Sequence, residues 1–247
     1  MTDKLHLQPR AEIKERKRVY DGFFKVDELT ISMGKHGGGA MEVKRLIFER
    51  GHAVAILGYD PKSDEVLLIN EMHPGLLASG EYPFIDSLPA GMIDKGEAVL
   101  EAAAREFYEE TGAQLTSAKV IHDGAYVSSG GTSEKITLVV GTLDMSKVVN
   151  GSIHGKTEEG EDIRVSIVKA DDYIARAEQG LLHDMKCMVF ALWLSKNRDS
   201  MRPAVKEVAV PVVRIPQASY ARRLPVVRPL AAVQDSLELA EVQGTGR

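Results

Sequence analysis

The sequence contains a single cysteine and no long apolar run, and each shortage narrows the class of protein. Cys187 is the single cysteine among 247 residues, so an internal disulfide framework is excluded and we expect a reducing, cytoplasmic environment. No apolar run approaches the roughly 20 residues that span a bilayer. The polar, charged stretch from Met1 to Arg18 has no apolar segment of the kind that a signal peptide requires. We therefore expect neither a membrane partner nor a targeting segment.

Positive charge is also in short supply. Lysine and arginine number 31 against 36 aspartates and glutamates, which gives a net charge of −5 and argues against general nucleic-acid binding. If the substrate carries phosphate, an acidic protein needs a divalent cation to screen the repulsion. Hydrophobic residues at 44% and charged residues at 27% are ordinary for a globular protein, and the length suits one domain with extensions.

Alternating apolar and polar residues predict strands in much of the chain. Strands at 23–31 and 43–48, separated by the run Gly37-Gly38-Gly39, predict an N-terminal β-hairpin. Short apolar runs at 53–57 and 66–69, joined by a turn, predict a second strand pair. The same patterns predict later strands at 118–126, 135–141 and 163–168, and helices at 97–110, 171–179 and 183–195.

The composition changes after Asn197. Prolines punctuate β-branched and arginine-rich segments, a pattern that fits either an extended arm packed on the domain or a partly disordered arm. We therefore divide the chain into an N-terminal β extension (1–50), a central domain (51–197) and a C-terminal extension of unknown role (198–247).

One glycine-bounded helix has an acidic face. Glu106, Glu109 and Glu110 lie three and four residues apart, so their carboxylates share one side of the helix and repel each other by about 0.2–0.5 kcal/mol per pair. Arg105 offsets part of this repulsion, and a hard cation that prefers oxygen ligands, such as Mg²⁺, would remove the rest. The alternative interpretation is a solvated acidic face without a function.

The spacing of the motif decides between these interpretations. It consists of a glycine, five residues, a glutamate, seven residues, an Arg-Glu pair, two residues and then Glu-Glu-x-Gly, and it occupies Gly91, Glu97, Arg105, Glu106, Glu109, Glu110 and Gly112. Every fixed position matches the Nudix box, so the chain resembles the Nudix hydrolase family. The resemblance implies an α/β fold, the Nudix α/β/α sandwich around a mixed sheet, here with the N-terminal β-hairpin extension.

The resemblance also implies roles for the residues of the box. Glu106 and Glu110, with the backbone carbonyl of Ala90, are expected to bind Mg²⁺, with Mn²⁺ as an alternative. Glu109 and Arg105 are expected to support these ligands in catalysis, and Glu97 is expected to orient the arginine. Bound metal would neutralise a pyrophosphate and lower the pKa of an attacking water.

Similarity outside the box, over roughly residues 15–196, is to the bacterial ADP-ribose pyrophosphatase branch of the family. It is carried by the order and spacing of short segments, which are Gly22-Phe23-Phe24, residues 47–53, Gly130-Gly131-Thr132-Ser133-Glu134, Ile153-His154-Gly155 and residues 161–165. In that branch an acidic loop supplies the base that deprotonates water. By position, Glu159 is the expected general base and Glu161 a further metal ligand. There are two alternatives. Glu158 or Glu161 takes the role of Glu159, or the segment is only a charged surface loop.

The branch resemblance implies substrate contacts as well. Phe23 is expected against the nucleobase, Arg45 near the phosphates or base, and Glu134 in the substrate loop. For Phe23, a place in the core or at a dimer interface is an equal alternative. The N-terminal hairpin of this branch crosses to a second subunit, so a homodimer with a shared site is implied.

Three positions depart from the pattern of the branch. His73 stands where an arginine is usual and belongs to the expected substrate-binding set, while Ser87 stands in place of a glutamate and Ser129 in place of a proline. Because the first two line the substrate side, another nucleoside diphosphate sugar, such as GDP-mannose, competes with ADP-ribose as the substrate.

We therefore predict an Mg²⁺-dependent hydrolase that cuts the pyrophosphate of ADP-ribose or a related sugar nucleotide into a nucleoside monophosphate and a sugar phosphate. One alternative is a Nudix enzyme acting on nucleoside triphosphates or capped RNA. Another is a Nudix-fold sensor that binds ADP-ribose without cutting it, which the complete set of box carboxylates disfavours.

Overall fold

The structure is a computed structural model, and it describes residues 10–201. Residues 1–9 lie outside the described part, and so does most of the predicted C-terminal extension, residues 202–247. The predicted domain boundaries and the role of that extension stay predictions.

The N-terminal part forms an antiparallel sheet of three strands in the order β1-β2-β3. These strands are β1 (Ala11–Asp21), β2 (Lys25–Gly34) and β3 (Ala40–Glu49). The predicted hairpin corresponds to β2 and β3 and is confirmed. Strand β1 carries exposed side chains along its whole length, so it lacks the alternation by which the sequence marks a strand. It is tied to β2 by Arg16 and Arg18, which both pair with the buried carboxylate of Asp27.

The central part contains a mixed sheet of eight strands. They are β4 (Ala53–Asp60), β5 (Glu65–Met72), β6 (Phe84–Ser87), β7 (Ala90–Met92), β8 (Ser117–Tyr126), β9 (Lys135–Thr142), β10 (Ile153–His154) and β11 (Ile163–Lys169). Their order is β10-β11-β5-β4-β9-β8, with β6 paired to β5 and β7 paired to β4. Strands β4 and β9 run parallel, and the other pairs are antiparallel.

The helices of the central part are α1 (Pro74–Ala78), α2 (Val99–Thr111), α3 (Ala170–Glu178) and α4 (Met185–Met201). Helix α1 buries none of its residues, whereas α2 covers one face of the sheet and α3 and α4 cover the other. Alternate residues of β4 point to opposite faces, and every residue of that strand is buried, as expected for a strand covered on both sides. Val54 and Ile56 pack with Phe107 of α2, whereas Leu57 packs with Phe190 of α4. The predicted α/β/α sandwich around a mixed sheet is therefore confirmed.

Helix α2, which carries the acidic face, has defined ends. Its first turn is stabilised by Glu101, whose Oε2 accepts a hydrogen bond of 3.2 Å from the backbone N–H of Ala98. It ends at Gly112, which adopts the left-handed conformation with φ of 66°. A Cβ at Gly112 would also lie 2.4 Å from the ring of His154, so both backbone conformation and packing require glycine there.

One loop connects the two sheets. The backbone N–H of Phe48 in β3 donates to the carbonyl of Gly131 at 2.8 Å, and the Thr132 hydroxyl donates to the Phe48 carbonyl at 3.0 Å. The loop that the sequence predicts to contact substrate is thereby fixed to the N-terminal sheet. Among residues 10–201, no helix is both long and apolar enough to cross a membrane.

The contact between Gly58 of β4 and α2 predicts a stability defect. A Cβ at Gly58 would lie 2.6 Å from the Phe107 ring, so Gly58→Ala overpacks the core and should lower the free energy of unfolding by about 1–3 kcal/mol. Urea unfolding followed by circular dichroism measures the change. Gly37→Ala is the matched control, since a Cβ at that exposed turn meets nothing within 4 Å. Equal loss in both variants would contradict the packing argument.

The thiol of Cys187 is predicted to be unreactive in the folded protein. The residue is 1% exposed, and burial raises the pKa of its thiol to about 12, so little thiolate is present at neutral pH. Iodoacetamide should leave Cys187 unmodified in the native protein and modify it fully after unfolding, as measured by intact mass. Rapid modification of the native protein would contradict this environment.

Candidate active site

The box of the sequence lines an acidic cavity of about 380 Å³. Carboxylates outnumber cationic side chains on its walls, which consist of Arg50, Ala90, Gly91, Met92, Asp94, Arg105, Glu106, Glu109, Glu110, Lys156, Glu159 and Glu161. The structure therefore brings together the predicted residues of the box and the predicted residues of the acidic loop. Glu97 stands behind this wall, in contact with Arg105.

Arg105 connects the loop before α2 to the acidic face of the helix. Its Nε and Nη2 donate to the two carboxylate oxygens of Glu97 at 2.8 and 2.9 Å. Its Nη1 donates to Glu106 at 2.8 Å and to Glu109 at 3.2 Å, and Nη2 also reaches the carbonyl of Met92 at 3.1 Å. The hydrogen bonds between Arg105 and Glu97 raise the pKa of the Arg105 guanidinium and lower the pKa of the Glu97 carboxyl.

Glu110 lies deepest among the box carboxylates, and its side chain is held by the backbone N–H of Ala90 at 3.2 Å. It is 5% exposed. Burial raises the pKa of Glu110 well above its usual value, and the charges of Glu71, Glu106 and Glu161 raise it further. Burial also raises the pKa of Glu106, against the opposing effect of Arg105. Burial and mutual repulsion therefore disfavour the charged forms of these carboxylates, and additional positive charge in the site would stabilise them.

Gly91 provides the space into which Glu106 fits. A Cβ at Gly91 would lie 2.1 Å from the carboxyl carbon of Glu106 and 2.2–2.3 Å from its oxygens. Only glycine at position 91 lets the Glu106 carboxylate lie this close to the backbone. The position of Glu106 therefore explains why the box begins with a glycine.

The donor set of the cavity fits a hard divalent cation. Carboxylate oxygens of Glu106, Glu110 and Glu161 face a confined space, and oxygen is the ligand type that Mg²⁺ and Mn²⁺ prefer. Within residues 10–201, no group of three or more acidic, histidine or cysteine side chains is placed so that it could already hold a metal ion. In their present positions, Glu106 is engaged by Arg105 and Glu110 by the Ala90 N–H.

The acidic loop closes one side of the cavity. Residues Thr157–Glu159 form a turn of 3₁₀ helix, and the loop is pinned by Glu161, whose Oε2 accepts from the N–H of Lys156 at 2.8 Å. Glu159 is 56% exposed along its side chain, and its Oε1 lies 3.2 Å from Lys156 Nζ. Glu158 does not line the cavity, which favours Glu159 over Glu158 as the group facing a bound molecule.

The predicted substrate residues lie apart from the acidic walls. Phe23 is 92% exposed at the bend after β1, with its ring centroid 4.8 Å from that of Phe24. Arg45 is exposed on β3, where its Nη1 donates to the carbonyl of Lys44. Glu134 is buried behind the wall and pairs with Arg50 at 3.5 Å.

His73 lies just after the end of β5. Its Nε2 is 3.9 Å from Glu71 Oε1, and burial lowers the pKa of its imidazole. Ser87 is fully buried, and its hydroxyl donates to Asp184 Oδ2 at 2.9 Å. Asp184 in turn pairs with Lys186. A carboxylate from the loop before α4 therefore lies beside the position from which the glutamate of the branch is missing.

Sequence reasoning assigned no role to four charged residues near the site. Arg50 and Lys156 are cations and Asp94 is a carboxylate on the wall of the cavity, and Glu71 lies near enough to Glu110 to influence its pKa. Arg50 falls within a segment quoted for the branch resemblance, so that segment was a usable signal. Glu71 and Lys156 belong to no motif and come to the site only through the pairing of β5 with β11 and through the loop after β10.

Comparisons with known proteins find a family match and relatives that extend over most of the chain. A family model described as NUDIX domain matches residues 49–185. The ADP-ribose pyrophosphatase of Escherichia coli (strain K12) is 34% identical over 193 residues, covering 78% of this chain and 91% of that protein. The ADP-ribose pyrophosphatase of Haemophilus influenzae is 32% identical over 209 residues, covering 81% and 92%. The GDP-mannose pyrophosphatase of Cronobacter sakazakii is 25% identical over 180 residues, covering 72% and 92%.

The space at Gly91 predicts a defect in cation binding. Gly91→Ala would push the Glu106 carboxylate away from the cavity and from Arg105, so the affinity for Mn²⁺ should fall about 10- to 100-fold. Calorimetric titration with Mn²⁺ measures the change, with circular dichroism to verify folding. Gly75→Ala is the control, because a Cβ there meets nothing within 4 Å. Unchanged Mn²⁺ affinity in Gly91→Ala would show that Glu106 does not hold the cation.

Proposed function

Since the chain belongs to the Nudix family, we propose that it hydrolyses the pyrophosphate bond of ADP-ribose or a related nucleoside diphosphate sugar. The products are a nucleoside monophosphate and a sugar phosphate. The observation that carries the proposal is the cavity in which Glu106 and Glu110 of the box face Glu159 and Glu161 of the acidic loop. The names of the relatives at 32–34% identity support the choice of ADP-ribose.

In this proposal Glu106, Glu110 and Glu161, with the carbonyl of Ala90, hold Mg²⁺, and Mn²⁺ is the alternative. The unfavourable crowding of these carboxylates supports that assignment, because it is relieved by a divalent cation. When bound, the metal would neutralise the pyrophosphate and lower the pKa of an attacking water.

The side chains around the metal ligands have distinct tasks. Glu159 acts as the general base that takes the proton from the attacking water, and its exposure at the cavity wall supports that role. Arg105 fixes the carboxylates of Glu106 and Glu109, and Glu97 fixes Arg105 through its paired hydrogen bonds.

We assign substrate contacts to Phe23, Arg45, His73 and Glu134. None of these four residues lines the cavity of its own chain. Because Phe23 and Arg45 belong to the N-terminal β extension, the proposal includes a homodimer in which that extension of one protomer reaches the cavity of the other. The exposed apolar side chains of the three-stranded sheet, among them Ile13, Phe23 and Leu46, support an interface on that sheet. A cytoplasmic location is supported by the single cysteine.

We keep GDP-mannose as a second candidate substrate because one wall departs from the pattern of the branch. Ser87 and Asp184 form a hydrogen-bonded pair where the branch has a glutamate, so the wall on the substrate side differs from that of the branch. The relative from Cronobacter sakazakii is described as a GDP-mannose pyrophosphatase. The chemistry at the metal is the same for both substrates.

The decisive experiment is turnover of ADP-ribose, GDP-mannose, nucleoside triphosphates and capped RNA, with Mg²⁺ and with EDTA. We expect release of AMP from ADP-ribose that EDTA abolishes. Glu110→Gln should abolish Mg²⁺-dependent turnover, because it removes the deepest carboxylate. Glu159→Gln should lower kcat by about 10²- to 10⁴-fold, as expected for loss of a general base.

Glu158→Gln is the matched control, since Glu158 neighbours the base and does not line the cavity. Full activity in Glu159→Gln would remove that residue from its role. Preference for GDP-mannose would be consistent with the proposed mechanism and would change only the substrate. Preference for triphosphates or capped RNA would contradict the proposal of a sugar-nucleotide substrate. Tight binding of ADP-ribose without turnover would contradict the enzymatic role and indicate a sensor that binds ADP-ribose.

A further inference from the structure

Lys156 connects the two acidic halves of the site. Its Nζ lies 3.0 Å from Glu109 Oε2 on α2 and 3.2 Å from Glu159 Oε1 on the acidic loop. Its backbone N–H donates to Glu161 Oε2 at 2.8 Å. One residue therefore contacts a box glutamate and both functional glutamates of the loop.

The segment before Lys156 is fixed to the end of α2. The backbone N–H of Gly155 donates to the carbonyl of Glu109 at 3.2 Å, and the ring of His154 packs where a Cβ at Gly112 would stand. The backbone of Lys156 is therefore placed by contacts that do not involve its ammonium group. Replacing its side chain should change the charge of the site while leaving this segment in place.

The ammonium group acts as a cation within the acidic cavity. The side chain is 34% exposed, so it is partly desolvated. Partial burial lowers the pKa of Lys156, but its interactions with Glu109 and Glu159 outweigh burial and raise the pKa overall. Its charge also reaches Glu106, a proposed metal ligand. A positive charge at this position repels a divalent cation that is bound by the neighbouring carboxylates Glu106, Glu110 and Glu161.

We propose that Lys156 is a positioning residue that holds Glu159 at a fixed place beside Glu109, at the expense of weaker binding of the divalent cation. The role of Glu159 in this inference rests on the proposed function. Loss of the ammonium group then has two opposite effects. The cation binds more tightly because a competing charge is gone, and turnover slows because the base is no longer held.

The test compares Lys156→Met, which keeps the length and removes the charge, with Lys156→Arg, which keeps the charge. Lys147→Met is the matched control, because Lys147, like Lys156, pairs with a carboxylate three residues away, and this partner, Asp144, lies at 3.2 Å outside the cavity. Calorimetry gives the Kd for Mn²⁺ without substrate, thermal unfolding gives Tm, and steady-state kinetics give kcat and KM at saturating Mg²⁺.

For Lys156→Met we expect a Kd for Mn²⁺ that is lower by about two- to fivefold, because the interaction energy between partly exposed charges is small. We expect kcat to fall about 10- to 100-fold, with KM within about twofold of the original value. Lys156→Arg should recover most of kcat and the original Mn²⁺ affinity. Lys147→Met should match the unmodified protein in all four measurements.

Unchanged or weaker Mn²⁺ binding in Lys156→Met would overturn the repulsion between lysine and cation. A higher KM with unchanged kcat would overturn the positioning role in favour of a substrate contact. A fall in kcat with a lower Tm and no recovery by Lys156→Arg would reduce Lys156 to a structural residue. If the unmodified protein hydrolyses none of the substrates, the proposed function has failed, and the Mn²⁺ titrations still decide whether Lys156 opposes cation binding.

Discussion

The guanidinium group of Arg105 lies between the loop after β7 and the acidic face of α2, and the arrangement of the site depends on it. Its five hydrogen bonds reach three carboxylates and one backbone carbonyl. Without that cation, the glutamates on one side of a single helix would repel each other and turn towards solvent. A planar group with several donors is suited to this task, and a lysine would supply the charge without the fork of hydrogen bonds.

The sandwich supplies the rigid frame against which these charges are held. The side of α2 that carries Phe107 packs on the fully buried strand β4, so its polar side faces β7 and the acidic loop. The neighbouring strand β7 is paired to β4 as well, and the Ala90 N–H in β7 holds Glu110. Core packing and the position of the box carboxylates are therefore both set by α2 together with the paired strands β4 and β7.

The sequence was sufficient for the fold class, the family and the residues of the box, because a helix brings residues of fixed spacing onto one face. It was insufficient for Lys156 and Glu71, since their proximity to the box arises from contacts between segments far apart in the chain. Strand β1 escaped prediction because its side chains are exposed on both faces. The roles proposed for Phe23 and Arg45 depend on a proposed second subunit, which no pattern within one chain can position.

The hydrogen bond between Ser87 and Asp184 joins residues that are 97 positions apart, and it has an evolutionary consequence. A glutamate restored at position 87 would bury a second carboxylate against that of Asp184, which is costly without a new cation. The two sites are therefore epistatic: an acidic residue at one is compatible with a neutral residue at the other. A change in the charge of this wall is therefore expected to require substitutions at both positions, while the carboxylates of α2 stay in place.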